Sequence, residues 1–365
     1  MRVLFLNQYF PPDPAPTGIL LQEVANALVA QGHQVVFASA GQDYRAGQKR
    51  GSRMRRELQG LWRILWGAWA ASGAGRVDAI VSATSPPLLV VVGAVVAKLR
   101  GTRHYHWLFD MYPELATALG EVGQGPLAHL FSIAARWAYR RADCVVALDE
   151  DMAARLKNDG VNARIVAPWV TNPVINARAT QALTPRTPRG PERVWLYSGN
   201  LGRAHEWRTL IDAQKLLEGT GSPWRLVFQG GGPSWSAAQE YARAAGLGRC
   251  DWQPYVPEDK LPASLLAADV LAVTQRPETR GLLWPSKLAL VASLPRPILW
   301  VGPPDGAIAR DLARLPQAGI FAPGDAAGVV RWLESRGSSG ENPVLDPVSI
   351  RSDSLEQWVI ILGGR

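Results

Sequence analysis

The chain has 365 residues, 47% hydrophobic and 19% charged, which excludes a disordered polymer or a small cross-linked scaffold and leaves room for about two domains. Its two cysteines, Cys144 and Cys250, lie far apart and fit no zinc or disulfide spacing, so a reducing compartment is expected. A formal charge of +8 favours anionic partners without choosing among nucleic acid, lipid headgroups and phosphorylated small molecules.

The first apolar run, Val3 to Leu6, is too short for a secretory signal, and the longest, Pro86 to Ala97, is shorter than the roughly 20 residues that cross a bilayer. A cytoplasmic protein without a membrane span is expected. Short runs rich in Val, Ile, Leu and Ala then alternate with longer amphipathic stretches, the pattern of βαβ units around parallel sheets. In the first half the predicted strands are Arg2 to Leu6, Gln34 to Ala38, Ala79 to Ser82, Arg103 to Trp107, Cys144 to Leu148 and Ala163 to Val166. In the second half they are Arg193 to Tyr197, Arg225 to Gln229, Val270 to Thr274, Pro297 to Val301 and Gly319 to Phe321. Residues 173–192 are rich in Pro, Thr and Arg without apolar periodicity and read as a linker. The expected organisation is an α/β fold of two doubly wound domains, 1–172 and 193–347. A loose segment from Gly337 to Pro347 precedes a last amphipathic stretch, 348–365.

Ligands of open α/β sheets bind outside the carboxyl ends of the strands, so the loops there carry the chemistry. After the strand ending at Tyr197 comes Ser198-Gly199-Asn200-Leu201-Gly202-Arg203-Ala204-His205-Glu206. Glycines let backbone amides approach an anion, a helix start adds its dipole, and Arg203 adds a full charge, which suits a diphosphate. A tight turn with a solvated arginine has the same pattern. After Val270 to Thr274 the loop runs from Gln275 through Glu278, Arg280, Gly281, Pro285 and Ser286 to Lys287, which stands just inside a helix where it can reach the same anion. Gly230-Gly231-Gly232-Pro233 is a third backbone-exposing turn. In the first half, His106 and Asp110 stand at and after a strand end, before Pro113-Glu114. An acid there can act as a base, orient a hydroxyl or balance a cation, as in a paired-carboxylate glycosidase; equally, Asp110 can cap a turn. Asp149-Glu150-Asp151 opens a helix, where acids are favoured by the dipole, and is read as capping rather than as a metal site.

Asn7-Gln8-Tyr9-Phe10-Pro11-Pro12-Asp13, Thr17-Gly18, Gly32-His33-Gln34-Val35, Ser85-Pro86-Pro87, Asp110-Met111-Tyr112-Pro113-Glu114, Tyr197-Ser198-Gly199-Asn200-Leu201-Gly202 and Pro285-Ser286-Lys287 follow one another along nearly the whole chain. In this order they resemble the retaining glycosyltransferases of family 4, in particular the bacterial branch that builds surface polysaccharides. The resemblance implies a GT-B fold, with two Rossmann-like domains, a cleft between them, a nucleotide-sugar on the second domain and 348–365 crossing back to the first. It implies that Arg203 and Lys287 hold the donor diphosphate, that Gly18, Gly199, Asn200, Gly202, Gly231, Gly281 and Ser286 approach the donor, and that Asp110, with His106 nearby, sits beside the reacting sugar. No metal or cofactor is implied. The family carries two glutamates eight positions apart around its last donor loop. Here Arg280 and Leu288 fill those positions, and Glu278 is near enough to replace the first.

From Tyr44 to Arg63 there are seven basic residues, Arg45, Lys49, Arg50, Arg53, Arg55, Arg56 and Arg63, against one acid, Glu57, and Trp62, Trp66 and Trp69 follow at helical spacing. Such a helix suits an anionic lipid interface, although the tryptophans can equally pack as core. No nucleic-acid-binding motif accompanies the charge, so no nucleic-acid partner is expected. The expectation is therefore a retaining, metal-independent transferase. It would move sugar from a nucleotide-sugar to a polyprenyl-diphosphate-linked saccharide at the inner membrane face, using the region from Arg45 to Trp69 as its membrane contact. The alternatives are a nucleotide-sugar epimerase on the same fold and a catalytically silent scaffold subunit.

Overall fold

The computed structural model describes residues 1–13, 15–41, 53–123, 125–170, 192–336 and 347–363. The expected linker, apart from Glu192, lies outside the described residues, as do Arg45, Lys49, Arg50 and nearly all of the segment from Gly337 to Pro347. The chain forms two compact units. One comprises Met1–Trp169, Gly281–Trp284 and Arg351–Arg365; the other comprises Val170–Arg280 and Pro285–Ile350.

In the first unit six parallel strands, β1 (Arg2–Leu6), β2 (Gln34–Ala38), β3 (Ala79–Ser82), β4 (Arg103–Trp107), β5 (Cys144–Ala147) and β6 (Ala163–Ile165), lie in the order β2-β1-β3-β4-β5-β6. Helices α1 (Pro16–Ala30), α2 (Arg53–Gly73), α3 (Leu89–Arg100), α4 (Glu114–Ala118), α5 (Pro126–Arg141) and α6 (Glu150–Asn158) connect or follow them. The central strands are buried on both faces, which leaves β3 apolar up to Ser82 and encloses even the histidines of β4. Register decides which residue faces which layer: Leu4 pairs with Ile80 and Ile80 with His104, while Leu6 pairs with Ser82 and Ser82 with His106. Those two rows meet α2, α3 and α5, where Ile64, Ala68, Leu89 and Val96 close the core and Tyr139 packs on His106. The alternate residue Trp107 faces the other way, against Trp169 and against Trp358 of the last helix. On that side Glu23 of α1 accepts hydrogen bonds from Trp169 Nε1 at 2.9 Å and from Arg351 Nε at 2.7 Å.

Helix α2 is two-sided. Leu61, Ile64, Leu65 and Ala68 pack inward, whereas Trp62, Trp66 and Trp69 are 60%, 55% and 40% exposed. The tryptophans are thus not core residues, because the inward positions are already filled by smaller side chains.

The second unit holds β7 (Arg193–Asn200), β8 (Trp224–Gly231), β9 (Cys250–Gln253), β10 (Val270–Thr274), β11 (Ile298–Val301) and β12 (Ala318–Phe321) in the order β12-β11-β10-β7-β8-β9, again all parallel. Its helices are α7 (Arg208–Gly219), α8 (Trp235–Ala244), α9 (Leu261–Leu266), α10 (Lys287–Ala292), α11 (Ala307–Leu312) and α12 (Ala326–Glu334); α13 (Pro347–Gly363) closes the chain and from Arg351 onward belongs to the first unit. This is the doubly wound order, and it reverses between β7 and β10, so the loops after those two strands frame the crevice where such sheets bind ligands. Strands β7 and β8 run further than their apolar runs predict: pairing continues through Gly199 with Gly230 and Asn200 with Gly231. Strand β9 was not predicted, since Cys-Asp-Trp-Gln at a sheet edge lacks an apolar run.

Candidate functional site at the carboxyl ends of β7 and β10

The extension of β7 and β8 sets two glycine turns side by side. Gly199, Gly230 and Gly232 have φ of 118°, 138° and 131°, which only glycine adopts freely. A Cβ on Gly230 would collide with the Gly199 carbonyl, and one on Gly232 would lie 2.8 Å from Leu201 N. The backbone there is bare because no side chain fits.

Lys287, the first residue of α10, points into this bare region. Its Nζ lies 3.6 Å above the centroid of the Tyr197 ring and 3.4 Å from the place a Cβ on Gly199 would take. The ammonium is buried and has no hydrogen-bond partner, and burial holds its pKa well below the usual lysine value. Tyr197 supplies a cation–π face and donates its hydroxyl to Asn200 O at 3.0 Å, fixing the turn. His205 donates from Nδ1 to Thr274 O at 2.8 Å, bridging the ends of β7 and β10; since a carbonyl only accepts, Nδ1 carries the proton. Burial first, and then the Lys287 charge, push His205 down to about 3, so the imidazole is neutral. A buried ammonium without a partner is costly, and an anion seated on the glycine amides offsets that cost.

Gly199, Asn200, Gly202, Gly231 and Lys287 are therefore brought to one end of the second sheet, and the half-buried Arg203 stands in the same β7–α7 loop. The Gly231 turn is flanked by the exposed Tyr255, whose ring would lie 3.1 Å from a Cβ on Gly231. Tyr197, His205 and Tyr255 were missed in the sequence; the position of Tyr197 two residues before the glycine turn is the signal that points to the first. Ser286 is exposed just ahead of α10. Glu278 pairs with Arg276 at 2.9 Å, which holds its carboxyl below the usual range, and Arg280 pairs with Asp305 at 2.8 Å.

Two expected residues, His106 and Gly281, take other places, and Gly18 stands where α1 meets the loop after β1. His106 is a core residue, not a catalytic one: its register with Ser82 turns the ring under α5, where it is 1% exposed and hydrogen-bonds Ser82 Oγ at 2.9 Å. Gly281 does not line the donor loop but packs on α6, since a Cβ there would lie 2.7 Å from Asp151 O. Gly18 lets α1 close on the loop after β1, 2.6 Å from Tyr9 O by the same measure. Asp110 stands beyond β4 in a short bridge to Leu283, beside the Met111 N–H donated to Leu282 O at 2.7 Å, and burial raises its carboxyl to about 6. Asp149 caps α6 by accepting from Met152 N at 2.8 Å. Among the described residues no cluster of His, Cys, Asp and Glu has the makings of a metal site, and no helix is long and apolar enough to cross a membrane.

Residues 18–169 match the protein family described as a glycosyl transferase 4-like domain. Over 283 residues the chain is 24% identical to the probable glycosyltransferase WbjE of Pseudomonas aeruginosa, covering 74% of this chain and 69% of that protein. Over 338 residues it is 24% identical to the putative colanic acid biosynthesis glycosyl transferase WcaI of Escherichia coli K12, covering 80% and 81%. The family match and both relatives support a glycosyltransferase of the family 4 type. The chain's fold is that of solved GT-B glycosyltransferases. The structure of Anabaena HepE in complex with UDP superposes with a TM-score of 0.60 at 14% identity, covering 100% of this chain and 98% of that one. The glycine turns and Lys287 occupy the switch point of the second Rossmann-like sheet.

Proposed function

We propose that this glycosyltransferase moves a sugar from a nucleotide-sugar donor to a lipid-linked saccharide, with retention of configuration, in cell-surface polysaccharide synthesis. The observation that carries the reading is the buried, partnerless Lys287 ammonium over the glycine turns, an anion seat built before any anion arrives. The UDP bound to HepE and the polysaccharide role in the name of WcaI support it. As the glycosidic bond breaks, the departing diphosphate gains charge, and Lys287, Arg203 and the turn amides would stabilise that charge. The acceptor hydroxyl enters on the face the leaving group vacates, and a diphosphate oxygen takes its proton, so no protein base is assigned. Asp110 orients the reacting sugar. Charge stabilisation resides in side chains and amides, so turnover is expected to survive chelation of divalent cations. The exposed tryptophans of α2 would rest on the inner membrane face, where a polyprenyl-diphosphate-linked acceptor is found.

A second reading, a donor-binding relative without turnover, is favoured by one feature: Arg280 and the buried Leu288 occupy the usual glutamate positions, and Glu278 is engaged by Arg276. Calorimetry with UDP, GDP, ADP and their sugars, followed by NMR of the product anomer, separates the two. Binding with an α-linked product from an α-linked donor supports transfer, binding without product supports the second reading, and no binding to any of them defeats both.

A further inference from the structure

The membrane part of this reading rests on α2, but α2 does not stand alone on its side of the first sheet. Helices α2, α3 and α5 form one layer, because the residue rows through Leu4, Ile80 and His104 and through Leu6, Ser82 and His106 face all three. Eight of the fifteen exposed large apolar side chains among the described residues belong to these three helices, so the exposure is concentrated rather than scattered. On α5 it forms a stripe: Leu127, Leu130 and Ile133 are exposed at a spacing of three, and half-buried Trp137 follows one turn later. That stripe ends in a cavity of about 620 Å³ lined by Ile133, Arg136, Trp137, Arg140, Arg141 and Asp159.

The charge of the layer selects the occupant. Arg55, Arg56 and Arg63 on α2, Lys98 and Arg100 on α3, and Arg136, Arg140 and Arg141 on α5 stand against two acids, Glu57 of α2 and Asp159 at the cavity. A second copy of the chain would bring the same cations face to face, whereas an anionic surface is complementary to them. Arg100 stacks at 3.7 Å on the Trp69 ring, joining α3 to the aromatic side of α2, and Arg140 Nε donates to Asp159 O at 2.7 Å, closing one wall of the cavity with its guanidinium. An apolar stripe that runs into arginines and a tryptophan has the order of a lipid, acyl chain and then phosphate.

We propose that α5 is a second membrane-contact element, and that the cavity at its C-terminal end seats the phosphate of an anionic phospholipid headgroup while Leu127, Leu130 and Ile133 meet the acyl chains. The protein then touches the bilayer along two helices, which fixes its orientation as well as its attachment. The inference shares the membrane reading above but is independent of donor binding and turnover.

The test is co-flotation of the full chain with vesicles of phosphatidylcholine alone or mixed with phosphatidylglycerol. Wild type is expected to float only with the anionic vesicles. The double variant Arg136→Gln, Arg141→Gln, whose thermal melt should match wild type, is expected to lose about fivefold in association for each arginine removed. Leu130→Ser with Ile133→Ser is expected to weaken association while leaving its dependence on phosphatidylglycerol intact. Wild-type flotation by the arginine double variant overturns the α5 site, yet leaves α2 as a contact if Trp62→Ser with Trp66→Ser abolishes flotation. Flotation of wild type with neither vesicle, or a dimer in sedimentation that the Ile133→Ser change dissolves, also overturns it. UDP-sugar binding measured on the same variants reports separately on the transferase reading.

Discussion

Two sets of buried basic groups behave oppositely. In the first unit Ser82 Oγ stands between His104 Nε2 at 2.8 Å and His106 Nδ1 at 2.9 Å, donating to one ring and accepting from the other, beneath helices that leave no space above them. In the second, the Lys287 Nζ is also covered but faces glycines whose missing side chains leave the backbone bare. Burial depresses the basicity of all three. A perturbed ionisation constant therefore does not mark a site by itself; what surrounds the group does. Each histidine has one ring nitrogen hydrogen-bonded to Ser82 Oγ, whereas the Lys287 ammonium has no hydrogen-bond partner.

The largest expected effect that tests this contrast is on acid stability. Burial pushes His104 and His205 down to about 3 and His106 well below its ordinary value of 6.5. Below pH 6.5 the unfolded chain takes up protons that the folded one refuses, so stability falls as pH drops from 6.5 toward those depressed values. The slope is about 1.4 kcal/mol per pH unit for each buried histidine. Asp110, raised to about 6, opposes this between its ordinary 3.8 and 6, because the folded state there holds the extra proton. Denaturant melts from pH 7 to pH 4 should show the net loss, and a flat profile would mean that the histidines are solvated.

Next in size is His106→Ala. Removing a ring packed 5.5 Å from Tyr139 leaves a cavity and an unpaired Ser82 lone pair, at a cost of about 3 kcal/mol. Thermal melts should show the cost, and affinity for a nucleotide-sugar should stay at the wild-type value. Lys287→Ala should do the reverse. Affinity is expected to fall roughly 10- to 100-fold by calorimetry, the worth of a charge-assisted hydrogen bond. The unliganded melting temperature should hold or rise, since a buried partnerless ammonium is gone.

The sequence disclosed the fold more fully than the site, for a physical reason. Apolar runs locate strands covered on both faces, and β1, β2, β3, β4 and β10 have their predicted bounds. Glycine turns and Pro285-Ser286-Lys287 are local patterns, so they were visible as well. What a single strand does not reveal is which neighbour it pairs with. His106 looked like a residue at a strand's mouth until its pairing with Ser82 turned it beneath α5. Gly281 looked like part of a donor loop until its close approach to Asp151 was known. Long-range partners also claimed Arg280, through Asp305 some 25 residues on. The stripe on α5 was missed because its apolar spacing is that of an ordinary core-facing helix, and only the sheet tells which face is inward.

Asp149-Glu150-Asp151 extends the contrast to acids and gives the smallest effect. Three carboxylates in a row invite a metal, yet Asp149 is committed to Met152 N, and Glu150 and Asp151 lie in the first turn, where the helix dipole favours negative charge. Asp149→Ala should cost about 1 kcal/mol, the usual worth of an N-cap. If the side chain only caps α6, that loss is the same in thermal melts with added Mg²⁺ or Mn²⁺ as with chelator, and donor affinity is untouched. A melting temperature that rises with the divalent ion in wild type, but not in Asp149→Ala, would place these acids with Lys287 rather than with His106.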